Sequence, residues 1–165
     1  MRMWTSPCGT LIGNAVLALI AHPEAMAQVR ADRDRIPALV EEALRYDSPV
    51  QVVFRVTAED VELEGGKIPA GQRVFLLLGS ANRDERKFSN ADRFDIDRNP
   101  RDHLAFGFGT HRCLGAPLAR LEAQIALEAL LFEAPPFSCE LEAVDPIASL
   151  IVRGTRTLPI HFEES

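Results

Sequence analysis

Apolar residues recur at helical spacing in four stretches of the chain, which we predict to be helices over residues 10–21, 23–31, 37–46 and 114–132. The third stretch carries one apolar stripe, with polar residues on its other side. The first stretch is apolar nearly all round, so it needs burial on every side. Such a helix is unusual at the start of a chain of 165 residues, and it indicates that some packing partners are missing.

A period of two replaces the helical pattern after Ser48-Pro49. Residues 50–57 alternate, which predicts a strand with Gln51, Val53 and Arg55 on the same side. A short apolar run over residues 74–78 predicts a buried strand.

The remaining stretches lack a strong period. Residues 81–102 are polar and predicted to be irregular, and the part after residue 136 is predicted to hold short strands and turns. Residues 1–7 are predicted to be disordered. We therefore predict one domain over residues 1–165, mainly α with small β-sheets.

Composition narrows the class of protein. Hydrophobic residues make up 47% of the chain and charged residues 25%, as in a globular protein that is soluble in water. The net charge of −6 argues against a general nucleic-acid role. The longest apolar run, over residues 11–21, is too short to span a membrane. We therefore expect neither a nucleic-acid partner nor a membrane partner.

The three cysteines lie far apart and form no C-x-x-C pair, so a zinc site or iron–sulfur cluster is poorly supported. An odd number of cysteines without a signal sequence indicates a reducing, cytoplasmic location.

One cysteine lies in a glycine-rich stretch directly before the fourth predicted helix. This cysteine loop, residues 106–115, reads Phe-Gly-Phe-Gly-Thr-His-Arg-Cys-Leu-Gly. Gly107 and Gly109 can adopt backbone angles closed to other residues and allow close approach to a flat ligand. A helix N-terminus favours a thiolate at Cys113, and a thiolate on such a loop suits axial ligation of haem iron.

A single cysteine is more often a small buried hydrophobe than a ligand. Packing alone, however, does not require three glycines and a histidine around one thiol. The loop resembles that of the cytochrome P-450 family of haem-thiolate monooxygenases, whose pattern is Phe-Gly-x-Gly-x-His/Arg-x-Cys-x-Gly. Every fixed position of that pattern is met, by Phe106, Gly107, Gly109, His111, Cys113 and Gly115.

Glu42 and Arg45 lie three residues apart on the polar side of the third helix. Alone they would be read as a solvated ion pair, stabilising by about 0.2–0.5 kcal/mol. The pair is also similar to a second motif of the same family, in which it is buried and closed by an arginine from the segment before the loop. The resemblance assigns that arginine to Arg93, and Glu42, Arg45 and Arg93 would form a structural lock.

The resemblance implies further roles. The cofactor is expected to be haem b, with Cys113 as the ligand of the iron and Arg55 and His111 as contacts of its propionates. Gln51, Val53 and Ile151 are expected to form part of the wall around a small organic substrate. Alternatively, Arg55 is an ordinary surface arginine at a strand edge.

A ferredoxin-type electron donor is expected to bind near a local excess of positive charge. Four arginines and one acid between residues 98 and 120 give +3 there; the arginines are Arg98, Arg101, Arg112 and Arg120. The alternative, an ordinary solvated surface, stays open.

The resemblance covers residues 8–165 but only the C-terminal portion of the family's fold, of the soluble bacterial type, so the chain is expected to be truncated. The family's oxygen-activation motif is an acid followed by a threonine, and Ser6 and Pro7 occupy those positions. No catalytic residue is therefore assigned. The expected function is monooxygenation with electrons from a partner; the alternatives are a non-catalytic haem-binding fragment and a partner-binding domain with a reactive thiol.

Overall fold

The computed structural model describes residues 7–163 of the chain and begins with three helices. These are α1 (Pro7–Ala21), α2 (Pro23–Ala31) and α3 (Ile36–Tyr46), with a 3₁₀ turn, Arg33–Arg35, before α3. Helix α1 starts three residues earlier than predicted, so the expected disorder of residues 1–7 is wrong for Pro7. A proline suits a first helical position because its missing N–H has no partner there. Residues 1–6, including Ser6, lie outside the described residues.

The core forms where α1 and α3 meet the last long helix. Leu11 and Leu19 of α1 are buried together with Leu39, Val40 and Leu44 of α3. The stripe predicted from the sequence of α3 thus faces the core. Helix α1 is apolar nearly all round, and more than half of its positions are buried.

The last long helix, α5 (Ala116–Glu128), continues into a π-helical turn, Ala129–Glu133. Its buried residues are Ala116, Ala119, Ala123 and Leu127. The alanines let α5 approach α1 and α3 closely. The apolar stripe that predicted this helix lies on the opposite side and is exposed; its members are Leu114, Leu118, Leu121 and Ile125.

Four two-stranded antiparallel sheets complete the described part of the chain. Strand β1 (Val52–Val56) pairs with β4 (Arg73–Leu77), and β2 (Val61–Leu63) pairs with β3 (Gly66–Ile68). Near the C-terminus β5 (Phe137–Ser138) pairs with β8 (His161–Phe162), and β6 (Asp145–Pro146) pairs with β7 (Thr155–Thr157). The prediction of a buried strand over residues 74–78 is wrong, since most residues of β4 are exposed.

Between β4 and α5 the backbone is irregular, apart from the short helix α4 (Leu78–Ala81) and 3₁₀ turns at Ile96–Arg98 and Gly109–His111. The Arg45 side chain, fully buried, holds this segment to α3. Its guanidinium donates to the backbone carbonyls of Asn82, Ala91 and Arg93 at 3.0, 2.7 and 3.0 Å. One side chain therefore satisfies three carbonyls in the segment that leads to the cysteine loop.

Glu42 balances this buried charge. Its two carboxylate oxygens accept from Nε and Nη2 of Arg45, each at 2.8 Å, and one also accepts from the Asp95 N–H at 2.8 Å. The prediction that the Arg93 side chain closes the lock is wrong. Arg93 is exposed and contributes its carbonyl, whereas the Arg98 Nε lies 3.4 Å from Glu42 Oε1.

Across residues 7–163 no single helix has the length and apolarity needed to cross a membrane; α1 and α2 reach them only as a pair bent by 107°.

Candidate functional site

A cavity of about 340 Å³ opens between the cysteine loop, α1 and β1. Cys113 lines it from the loop, and Val53 and Arg55 line it from β1. His111 lies on the same wall as Cys113. The structure therefore brings together four residues that are spread over more than sixty positions of the sequence.

The glycines of the cysteine loop set the path of its backbone. Gly107 and Gly109 both have a φ of +72°, a conformation that other residues rarely adopt. The loop closes where the Cys113 N–H donates to the Phe106 carbonyl oxygen at 2.9 Å. Gly115 lies beside the thiol, since a Cβ placed on it would come within 3.8 Å of Cys113 Sγ. Cys113 is thus held at a defined point three residues before α5 begins.

The cavity walls are mainly apolar. Beside Val53, the side chains of Leu11, Leu44, Phe106 and Ala119 face the cavity. Such walls exclude water and suit a flat apolar ligand.

Two residues predicted for this wall lie elsewhere. Gln51 donates from its amide to the Ser48 carbonyl at 2.6 Å and packs so closely on Gly79 that a Cβ there would lie 2.1 Å from Gln51 Oε1. Ile151 is half-exposed and accepts the Gln51 N–H with its carbonyl at 2.8 Å. Alternation along the strand could not reveal this, because regular pairing of β1 with β4 begins only at Val52.

Arg55 and His111 lie on the rim, and both are exposed. Arg55 Nη1 donates to the carbonyl of its neighbour Phe54 at 2.7 Å, which leaves most of its guanidinium turned to solvent. A thiol facing an apolar cavity with two basic side chains on its rim fits a flat apolar cofactor that carries two carboxylates. Haem has this chemistry, and the donor set of the site therefore fits haem.

Cys8 of α1 lines the same cavity, a neighbour of Cys113 that sequence spacing did not reveal. Burial, followed by a hydrogen bond with Glu122, raises the pKa of the Cys8 thiol. Cys8 therefore stays a neutral thiol under ordinary conditions.

A second group, which the sequence analysis missed, lies outside the residues that line the cavity. The Glu41 carboxylate accepts from Arg120 through both Nε and Nη2, and from His103 Nε2 at 3.0 Å. Burial raises the pKa of Glu41, but the hydrogen bonds from His103 and Arg120 outweigh it and bring the pKa to about 2. In the sequence, the feature that could have indicated this group is a histidine, His103, three residues before Phe106.

This pKa predicts an acid dependence of stability. Because the pKa of Glu41 is lower in the folded chain than its ordinary 4.5, its stabilisation is complete above pH 4.5 and is lost as the pH falls towards 2. We expect Glu41→Gln to lower the free energy of unfolding by about 2–3 kcal/mol at pH 7. This deficit should shrink across that window in urea titrations at successive pH values.

Asp60→Asn is the control. Asp60 is exposed and paired with Lys67, and the hydrogen bond from Lys67 lowers the pKa of the Asp60 carboxyl. This substitution should leave the acid limb of the stability curve nearly unchanged. A Glu41→Gln deficit that is constant between pH 7 and pH 3 would contradict the assignment.

The sequence predicted a basic surface patch of four arginines, but two of them, Arg98 and Arg120, are largely buried and paired with glutamates. The Arg98 side chain is 12% exposed and donates to the carbonyls of Ser89 and Asn90 as well as approaching Glu42. Arg120 is partly buried and paired with Glu41. Arg101 and Arg112 are exposed, beside a surface depression that the cysteine loop also lines.

The family model for cytochrome P450 matches residues 10–150. The biotin biosynthesis cytochrome P450 of Bacillus subtilis strain 168 is 53% identical over 155 residues, which are 93% of this chain and 39% of that protein. The cytochrome P450 monooxygenase PikC of Streptomyces venezuelae is 43% identical over 155 residues, 92% of this chain and 37% of that protein.

Solved structures show the same relationship. P450BioI, in complex with an acyl carrier protein ligated to hexadec-9Z-enoic acid, superposes with a TM-score of 0.90 at 46% identity, covering 95% of this chain and 40% of that one. CYP109E1 from Bacillus megaterium, in complex with corticosterone, gives a TM-score of 0.89 at 40% identity, covering 93% and 42%.

This chain therefore spans about two fifths of the length of these relatives and keeps the same backbone arrangement over nearly all of its own length. The family match, the relatives and the structural superpositions confirm the resemblance inferred from the cysteine loop and the Glu42–Arg45 pair. The chain belongs to the cytochrome P450 family.

Proposed function

We propose that this chain forms the thiolate-ligand side of a haem-dependent monooxygenase. The reaction takes an organic substrate RH, dioxygen, two electrons and two protons to ROH and water. The observation that carries the proposal is the Cys113 thiol facing an apolar cavity whose rim bears Arg55 and His111. When bound, haem would supply the redox chemistry of oxygen activation, which a thiolate ligand favours.

Each residue of the chain then has a defined task. Cys113 would hold the iron of haem b, with the loop glycines allowing the backbone to lie close to the ring. Arg55 would bind a propionate as a charged donor, and His111 would donate to the same propionate or to the other. Val53, Leu44 and Phe106 would cover the ring and keep water away from it, leaving an apolar wall for a small organic substrate.

The electrons would come from an acidic donor of the ferredoxin type. Support for this partner comes from Arg101 and Arg112, which are exposed beside the cysteine loop. Charges of opposite sign accelerate such encounters and fix the orientation of the partners. A donor of this kind works in the cytoplasm, where we also place this chain.

A second candidate is a haem-binding chain that performs no catalysis alone. Pro7 is the first residue of α1, and by the resemblance it would take the place of the threonine in the family's oxygen-activation motif. Proline has no hydroxyl and therefore cannot pass a proton to bound oxygen. This chain would then need groups from elsewhere to complete the reaction.

The test is the spectrum of the purified chain after addition of haem, reduction and exposure to carbon monoxide. A strongly red-shifted Soret band that is lost in Cys113→Ala would support the proposal. Cys139→Ala is the matched control, because Cys139 lies outside the residues that line the cavity and should keep the band. An unshifted band in the unmodified chain would refute the thiolate role; turnover of substrate by the isolated chain would refute the second candidate.

The propionate contacts give a separate prediction. Arg55→Gln should weaken haem binding about fivefold, since an exposed ion pair contributes up to about 1 kcal/mol. His111→Gln should act in the same direction. Haem titrations would measure both, and the dimethyl ester of haem, which lacks both carboxylate charges, should bind the parent chain and Arg55→Gln equally. An equal loss of affinity for haem and its ester would mean that Arg55 acts through packing.

A further inference from the structure

We infer that Glu41, His103 and Arg120 are positioning residues that determine where the cysteine loop presents the Cys113 sulfur. None of the three lines the cavity, and they act on Cys113 through Phe106, the residue of the cavity wall that Arg120 contacts. That the sulfur position matters for catalysis rests on the proposed function. That the three side chains hold the loop in place does not depend on it.

The three side chains form one tightly bonded group. Arg120 of α5 forms a two-pronged ion pair with Glu41 of α3, so the group joins the two helices that flank the loop. His103 completes the arrangement from the irregular segment, and its side chain is 2% exposed. A carboxylate and a guanidinium compensate each other, which makes this degree of burial tolerable.

The hydrogen bonds of His103 fix its tautomer. The Ala105 N–H donates to His103 Nδ1 at 3.1 Å, so Nδ1 acts as the acceptor. The ring proton therefore lies on Nε2, which donates to Glu41 Oε2 at 3.0 Å. His103 thus connects the helix pair directly to the backbone one residue before Phe106.

Phe106 transmits this position to the cysteine. Its ring lies under the Arg120 guanidinium, with Cζ 4.6 Å from the ring centroid. Its carbonyl oxygen accepts the Cys113 N–H at 2.9 Å. A displacement of the ring or backbone of Phe106 therefore moves the amide of the residue that carries the thiol.

A further bond fixes the segment from the other side. The Leu104 N–H donates to Asn82 Oδ1 at 2.6 Å, and Asn82 is fully buried. Leu104, Ala105 and Phe106 are consequently each held by a different side chain. Because the start of the loop is held in this way, we expect the Cys113 thiol to keep a defined position although Gly107 and Gly109 follow in the loop.

Amide hydrogen exchange of the haem-free chain tests this inference without any dependence on haem. The Cys113 N–H is the reporter, and the amides of α1 and α3 report global opening. Glu41→Gln and Arg120→Gln should each accelerate Cys113 exchange at least tenfold beyond any change in the helix amides, and the double variant should add little. Glu128→Gln, which removes the exposed Arg33–Glu128 pair, is the matched control and should leave Cys113 exchange unchanged.

Arg120→Lys covers the case in which Arg120→Gln does not fold. It keeps the charge but loses the planar fork, so it should accelerate Cys113 exchange in the same direction with a smaller amplitude. Exchange that rises only in proportion to the helix amides would overturn the inference.

Spectroscopy then separates this inference from the proposed function. If the parent chain shows the red-shifted band with carbon monoxide, the Glu41 and Arg120 variants should convert part of it to the unshifted form at saturating haem. Full retention of the shifted band in both variants would overturn the positioning role at the sulfur. If the parent chain binds no haem, the exchange data alone decide whether the group braces the loop.

Discussion

Replacing Glu42 by alanine is expected to lower the free energy of unfolding by about 3–5 kcal/mol. Both Glu42 and Arg45 have no exposed side-chain surface. Removing the carboxylate leaves the Arg45 guanidinium buried without a counter-charge. It also leaves the Asp95 N–H, which Glu42 accepts at 2.8 Å, without that partner.

Arg45 cannot relieve this by turning away, because it is the partner of the backbone carbonyls of Asn82, Ala91 and Arg93. For the same reason, removing both charges together should not restore stability. The double change Glu42→Leu with Arg45→Met is expected to remain destabilised, since three carbonyls would lose their donors.

Urea denaturation would measure these differences. Glu128→Ala is the control, because its pair with Arg33 is 40% and 55% exposed, and it should cost less than about 1 kcal/mol. If Glu42→Ala does not fold, Glu42→Gln keeps the size of the side chain and removes only the charge. A cost below about 1 kcal/mol for Glu42→Ala would contradict the lock.

The outer side of α5 is expected to make the isolated chain associate with itself. Leu118, Leu121 and Ile125 are 58%, 53% and 58% exposed, and Leu114 beside them is 97% exposed. Contiguous apolar surface of this kind drives association in water. Covering three half-exposed side chains stabilises a contact by about 1 kcal/mol each, or roughly a hundredfold in the dissociation constant.

Sedimentation velocity over a range of concentrations tests this expectation. The triple change of Leu118, Leu121 and Ile125 to glutamine should shift the chain towards monomer with little loss of stability, since glutamine resembles leucine in helix propensity. Leu141→Gln is the control, an exposed leucine in a separate 3₁₀ turn, and it should have no effect. A parent chain that stays monomeric throughout would contradict the expectation.

Much of the fold could be read from local patterns. Helix α2 has the predicted bounds, and α3 buries the predicted stripe, because periodicity of 3.6 residues directly reflects one buried side. The cysteine loop could be recognised from its glycines. Gly107 and Gly109 have a positive φ, which other residues rarely adopt, so this requirement of the backbone is visible in the sequence itself. The comparisons confirmed the family that these motifs indicated.

Other features depend on contacts between distant segments, which periodicity does not encode. The arginine that the irregular segment brings to Glu42 is Arg98 and not Arg93, because the path of that segment decides which side chain reaches α3. In α5 three small alanines are buried beside Leu127, whereas Leu118, Leu121 and Ile125 are exposed, which hydrophobicity alone does not suggest. Glu41 and His103 lie sixty-two residues apart in sequence, and no spacing rule connects them.

The pairing of strands in twos has a consequence for how the chain behaves at high concentration. Among the described residues, each sheet contains two strands, so β1 and β4 both have an edge along which backbone N–H and C=O groups can pair with another polypeptide. A charged side chain on such an edge discourages the addition of a further strand, and Arg55 on β1 and Arg73 on β4 supply that charge. We therefore expect Arg55 to discourage strand-to-strand aggregation as well as to line the cavity. Arg55→Gln should for this reason be assayed in dilute solution, where only its role at the rim is measured.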